Sequence, residues 1–257
     1  MSNQQQYQAL EDAIRRAGKR AQQFRKEGLS VTVKGRQDFV SEADVLVENE
    51  LREVINALHP GDAFLGEEGG LSGDNELAEN ADIWVIDPID GTTNYLQNMD
   101  YWCVSVAYVK QGVLELGFIY APDRDEFFSA KRGEGAYLNG VRLAVQEPEA
   151  GQAILGLGRS NRRPLQTYLD VLVMLDEHDI EYRRFGAGAL MLAHVASGQV
   201  HGYYEAHLNS WDALAGILLI EEAGGCVSDF LGNNGLLEGN LMWAATPRLW
   251  EDLKDKL

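Results

Sequence analysis

The stretch WVIDPIDGTTNY, Trp84 to Tyr95, runs an apolar strand into two aspartates three residues apart, with Pro88 between them and a Gly-Thr-Thr directly after. Pro88 removes an amide donor and biases Asp87 toward extended backbone, so the strand is expected to end there and the chain to turn. The turn lets Asp87 and Asp90 face one cavity. Two carboxylates that close repel, and they share either a proton or a cation. A proton-sharing acid protease needs Asp-Thr-Gly or Asp-Ser-Gly in each of two lobes; here the order is Asp90-Gly91-Thr92, and no second copy exists. A shared divalent cation fits better, and oxygen-only ligands point to Mg²⁺ or a similar hard ion.

Gly91 lets the backbone approach a ligand closely. Thr92, Thr93 and Asn94 are predicted to begin a short helix whose amides form an anion site beside the metals. Carboxylate-held cations next to an amide nest suit phosphate chemistry. A lone Asp-Pro-x-Asp is more often an ordinary turn, but the full string is far more specific. Three other carboxylates have simple readings of their own. Glu67, with Glu68 at a strand end, reads as a solvated loop residue. Asp212, in the first turn of a helix, reads as a dipole partner. Asp44 reads as part of a capping box with Ser41.

The chain has 257 residues, 45% of them apolar, enough for a sizeable core. Its net charge is −18, from 40 acidic and 22 basic residues. With no basic patch to offset that, a nucleic-acid or anionic-membrane partner is not expected. No apolar run reaches the roughly 18 residues of a membrane span, and the polar N-terminus is unlike a signal peptide. Cys103 and Cys226 sit in apolar segments without metal-ligand spacing. Two buried free thiols fit a reducing cytosol, so the expected location is cytoplasmic.

Tyr7, Leu10, Ile14, Ala17, Ala21 and Phe24 recur at helical spacing. A second helix is expected from about Ser41 to His59-Pro60-Gly61. AFLGEEGG then reads as a short strand entering a polar loop to about Asn80. Strands follow through GAYLNGVRLAV, a hairpin turning at Asn139-Gly140. From about Gly151 strands and helices alternate. The expectation is one α/β unit over 1–257 with two lobes, about 1–150 and 151–257, sheet-rich and antiparallel in the first.

DFVSEAD (38–44), GEEG (66–69), DPIDGTTNY (87–95), GAYLNG (135–140) and WDALAGILLIEEAGG (211–225) together resemble the inositol monophosphatase family of lithium-sensitive, magnesium-dependent phosphatases. The match covers nearly the entire chain. The resemblance implies an alternating α-β-α-β-α layered sandwich, usually a homodimer. It implies that Glu67, Asp87 and the Ile89 carbonyl hold one Mg²⁺, that Asp87, Asp90 and Asp212 hold a second, and that a weaker third site lies near Glu67. Thr92, bonded to Asp44, then orients the attacking water, and the Gly91 and Thr92 amides, with Thr93 beside them, hold the phosphate. Glu205 matches the contact to substrate hydroxyls. Asp38 matches a carboxylate near the weaker metal site, and Lys34 matches a family lysine at slightly different spacing.

Ser41 replaces a more usual threonine. Gly188 stands where a small alanine lines the family pocket and is expected to leave room for a larger substrate. His207 and Asn209 alter the substrate loop, and Arg159 and Arg162 either reach a second anionic group or lie in solvent. Inositol 1-phosphate-type substrates lead, because Glu205 suits a polyol. Histidinol phosphate is second, because Glu205 could pair its amine; fructose 1,6-bisphosphate and 3′-phosphoadenosine 5′-phosphate come after. A dinucleotide-binding oxidoreductase fails as a reading because Asn161 occupies the third-glycine position after Gly156 and Gly158. No Gly-x-Ser-x-Gly supports a serine hydrolase, and the five histidines lack paired zinc spacing. A binding protein on the same fold, without turnover, is the competing reading from another class.

Overall fold

The computed structural model describes residues 3–27, 31–35, 38–72 and 82–257, except the side chains of residues 3 and 31–41. The side chains of Lys34, Asp38 and Ser41, and the polar segment expected to about Asn80, lie outside the described residues.

The chain opens with α1 (Asn3–Glu27), the antiparallel pair β1 (Val31–Gly35) and β2 (Asp38–Ser41), and α2 (Glu42–Leu58). Then come β3 (Ala63–Gly66), β4 (Gly70–Ser72), β5 (Ile83–Asp90) and the short α3 (Thr92–Leu96). Antiparallel strands follow: β6 (Cys103–Lys110), β7 (Val113–Ala121), β8 (Glu126–Lys131), β9 (Gly135–Leu138) and β10 (Val141–Arg142). Strands β3 to β10 form one eight-stranded sheet in the order β10-β9-β8-β7-β6-β5-β3-β4. Only β3 and β5 within it run parallel. β4 was not expected; Gly70, with φ +61°, turns the chain back on β3. The Asn139-Gly140 turn, with both φ positive, has the geometry its sequence predicts.

The remainder alternates as expected except for the short α7, which was not anticipated: β11 (Ile154–Leu157), α4 (Leu165–Glu177), β12 (Glu181–Arg183), α5 (Gly188–Ala196), β13 (Gly202–Leu208), α6 (Ser210–Glu222), β14 (Cys226–Val227), α7 (Gly235–Glu238), β15 (Asn240–Ala245) and α8 (Pro247–Leu253). Its five strands form a second sheet in the order β12-β11-β13-β15-β14.

Period-2 alternation on β5 makes the layers. Trp84 and Ile86 face a core shared with Leu10, Ile14, Ala17 and Ala21 of α1 and Val47, Leu51 and Ile55 of α2. Ile83 and Val85 face the opposite core, built on α5 and α6. That helix pair also receives Tyr203 of the second sheet, while Tyr204 and Trp243 pack outward against Val171 and Leu175 of α4 and Leu249 and Leu253 of α8. The result is the α-β-α-β-α sandwich. Trp102 and Trp243 are buried in the core, and half-buried Trp250 stacks on Trp243. Cys103 is buried and Cys226 half-buried, both free.

Candidate active site

β5 does not end at Pro88. Its pairing with β6 runs through Asp87↔Ser105 and resumes at Asp90↔Cys103, so three steps on β5 face two on β6. That is a one-residue β-bulge, where a proline without an amide proton is tolerated. In a regular strand, residues an odd number apart point to opposite faces. The extra residue cancels the inversion, and Asp87 and Asp90 both point at the α5–α6 layer. The Asp87 carboxylate accepts the Ile89 N–H at 2.9 Å, which fixes the bulge.

Helix α6 brings Asp212 to the same place. Asp87, Asp90 and Asp212 offer carboxylate oxygens that all lie within 4.8 Å of one another. Asp87 and Asp90 are buried and Asp212 keeps partial solvent access. Ser105 Oγ donates to the Trp211 carbonyl at 2.9 Å and ties the start of α6 to β6. Glu67 follows β3, which is parallel to β5, and its amide donates to the Ile86 carbonyl at 3.1 Å. Gly66 pairs with Ile86, so Glu67 and Asp87 follow side by side on the parallel pair β3 and β5.

Burial raises the Asp87 carboxyl well above the usual carboxylate range, and the charges of Glu67, Asp212 and Asp90 push it further. Asp212 is raised by burial, then by Asp90 and Glu67. Asp90 is pushed up to about 6 by burial, against backbone N–H groups that pull it down. Those amides belong to α5: Gly188 and Ala189 donate to Asp90 at 3.1 and 2.8 Å, and Leu190 at 3.3 Å. Ala187, at the N-cap of α5, supplies no capping side chain, so Asp90 serves as the cap from a distant strand. Among the described residues no cationic side chain pairs with Asp87, Asp90 or Asp212. An all-oxygen carboxylate set that lacks a counter-charge fits a hard divalent cation.

Asp44 lies fully buried in the first turn of α2, on the face carrying the core. Thr92 is half-buried at the start of α3, and its hydroxyl donates to the Ile89 carbonyl at 3.1 Å. Thr93 is exposed beside it. Gly91 has φ +88°, and a Cβ there would stand 3.0 Å from Ala187 Cβ and 3.1 Å from the Tyr101 carbonyl. Conformation and crowding both require glycine.

Glu205, on the Tyr203 face of β13, is buried and accepts the Tyr203 hydroxyl at 2.7 Å. Burial pushes its carboxyl up to about 7; the Tyr203 bond pulls it down, the Asp90 charge lifts it, and Arg184 and Arg159 lower it. Gly158 admits it, since a Cβ there would overlap the carboxylate. Gly188 does not open a wide space: a Cβ would meet Leu208 at 3.2 Å and the Tyr203 hydroxyl at 3.3 Å. His207 Nε2 donates to the Glu238 carbonyl at 2.9 Å, and Arg162 donates to the same carbonyl at 3.4 Å.

The sequence reading placed Asn94 at the start of α3 but gave its side chain no role, and it missed Ser105. Asn94 donates to the Tyr101 and Phe185 carbonyls, both at 2.7 Å, joining α3 to the segment before α5. A buried polar residue in an apolar run was the signal for Ser105.

A sequence model of the inositol monophosphatase family matches residues 2–256. The chain belongs to that family. The family member from Pseudomonas aeruginosa named Nus factor SuhB is 39% identical over 231 residues, covering 88% of this chain and 84% of that one. The Pasteurella multocida protein of the same name is 37% identical over 238 residues, covering 91% and 87%. Among solved structures, extragenic suppressor protein suhB from Bartonella henselae superposes with a TM-score of 0.88 at 32% identity, over 97% of this chain and 96% of that one. The inositol monophosphatase of Anabaena (Nostoc) sp. gives 0.83 at 30%, over 99% and 96%. No helix among the described residues is long and apolar enough to cross a membrane.

Proposed function

We propose that this chain is a Mg²⁺-dependent phosphatase of small phosphomonoesters, with myo-inositol 1-phosphate or a similar polyol phosphate as the leading substrate class. The observation that carries the reading is the group Asp87, Asp90 and Asp212 within 4.8 Å, with which no cationic side chain among the described residues pairs. Glu67, Asp87 and the Ile89 carbonyl are assigned one cation, Asp87, Asp90 and Asp212 a second, and Glu67 a weaker third. Bound there, Mg²⁺ would supply positive charge for the phosphoryl oxygens and lower the pKa of water.

The chain's own groups position the rest. Because the Thr92 hydroxyl proton is committed to the Ile89 carbonyl, its oxygen lone pairs are left to accept from the attacking water. Asp44 and Glu67 help to hold that water. The Gly91 and Thr92 amides, with Thr93 beside them, receive the phosphate. Gly188 and Glu205 face the alcohol, alongside Asp90 and Asp212. A protonated Glu205 can donate to and accept from hydroxyls; ionised, it suits an amine, which favours histidinol phosphate as the second substrate. The chain is expected to act in the cytoplasm as a homodimer.

The experiment is phosphate release from inositol 1-phosphate, histidinol phosphate, fructose 1,6-bisphosphate and 3′-phosphoadenosine 5′-phosphate, each with Mg²⁺ and with EDTA. Mg²⁺-dependent turnover that EDTA abolishes supports the reading and names the substrate. The relatives' name, Nus factor, names no hydrolysis and favours a second reading, a binding protein on the same fold. A folded, metal-binding chain inert toward all four esters would overturn the phosphatase reading for these substrates and favour that one.

A further inference from the structure

Glu48 lies on α2 one turn beyond Asp44 and is 2% exposed. Its carboxylate is directed at the turn that carries Glu67. One oxygen accepts the Glu68 N–H at 2.9 Å, and the other accepts the Gly69 N–H at 3.0 Å and Arg52 Nε at 2.8 Å. Arg52 also donates to the Gly70 carbonyl at 2.9 Å and to Ser72 Oγ. One ion pair on α2 thus grips the turn that follows Glu67 and the β4 limb of the hairpin.

The glycines of this segment belong to the same device. A Cβ on Gly66 would overlap the Glu48 carboxylate, and one on Gly69 would stand 2.6 Å from it and 2.8 Å from Arg52 Nη2. Gly66 and Gly69 are bare so that Glu48 can enter beneath the turn. Glu48 takes the two successive amides that directly follow Glu67, which commits it to the backbone of that turn.

We propose that Glu48, held by Arg52, is a positioning residue that sets the Glu67 turn and thereby controls the affinity of the cleft for a divalent cation; this rests on the metal reading above. Removing a group that holds a metal ligand in place typically weakens metal binding by roughly 10–100-fold. Glu48→Gln keeps the shape but sets an amide NH₂ against donors, so one contact to the turn is lost.

The test titrates Mn²⁺ into wild type and Glu48→Gln calorimetrically, with circular dichroism to verify folding, and follows turnover against Mg²⁺. The expected result is Mn²⁺ affinity weakened about tenfold, with kcat largely restored at saturating Mg²⁺. A purely structural role would lower the melting temperature and leave the Mn²⁺ affinity unchanged. That result, or a kcat loss that no Mg²⁺ concentration restores, overturns the proposal. If Glu48→Gln does not fold, Gly69→Ala carries the same test, because its Cβ pushes an exposed turn off the carboxylate. Unchanged Mn²⁺ affinity in that folded variant overturns it equally. Wild type that takes up no Mn²⁺ overturns the metal reading itself, and this assignment falls with it.

Discussion

Asp90 answers to two demands at once, since it faces Asp87 and Asp212 and also closes the N-terminus of α5. Asp87 and Asp212 carry no such capping duty, so they are the cleaner sites for substitution. Asp87→Asn or Asp212→Asn keeps the volume and removes a repelling charge. Turnover is expected to fall at least a hundredfold (about 3 kcal/mol or more), while the melting temperature in EDTA holds or rises. Mg²⁺-dependent activity retained in either variant would sink the ligand assignment. Glu205 gives a pH prediction. Its folded carboxyl is raised from 4.5 to about 7, so the native state holds a proton that the unfolded chain has released. The stability this contributes is present below pH 4.5 and lost as pH rises through 7, about 3 kcal/mol at most. Urea unfolding in EDTA should show Glu205→Gln gaining on wild type between pH 5 and 8; a constant gap refutes the assigned cause. The grouping of Asp87, Asp90 and Asp212 was legible because each sits in a recognisable string; Glu205 lies outside those strings and came only from the family resemblance. The side-chain roles of Glu48, Asn94 and Ser105 were not legible, because each reaches a backbone group distant in sequence, at Glu68, Phe185 and Trp211, which no local pattern encodes.

Helices α5 and α6 fall in the strand–helix alternation read after Gly151, but their mutual distance was not legible. Gly216 sets it: a Cβ there would overlap Leu192 Cβ on α5. Close approach fixes where α5 presents its amides to Asp90 and where α6 presents Asp212. Gly216→Ala is therefore expected to destabilise by about 1–3 kcal/mol through overpacking and to weaken Mg²⁺ activation as well. Unfolding free energies that match wild type would contradict this packing account. The strand carrying the aspartates taught the opposite lesson. Local preference at Pro88 predicts a stop, and tertiary pairing with β6 carries the strand through by a bulge. The sequence reading that both aspartates face one cavity was sound, but its reason was not; a bulge depends on register with a partner strand and leaves no local mark.

Across the entire chain, the cleft lies where the large sheet, the central helix pair and the second sheet meet. β3, β5, α5, α6 and β13 each contribute, with sequence separations near one hundred residues between Asp90 and its α5 donors. The five-layer order was legible only through the family resemblance, since strand order in a mixed sheet is not written in any one segment. A site assembled this way concentrates acidic groups in low dielectric, and without a cation their repulsion works against the folded state. A divalent cation that binds only the native cleft must then stabilise the fold as a unit. At a Mg²⁺ concentration about a hundredfold above its dissociation constant the gain is about 2.7 kcal/mol, or roughly 5–10 °C in melting temperature for a chain of this size. Calorimetric melts with Mg²⁺ and with EDTA measure it, and Asp212→Asn should lose most of the difference. A Mg²⁺ shift of equal size in wild type and Asp212→Asn would place the stabilising ion elsewhere on this acidic surface. A shift confined to wild type would tie stability and cleft to the same ion.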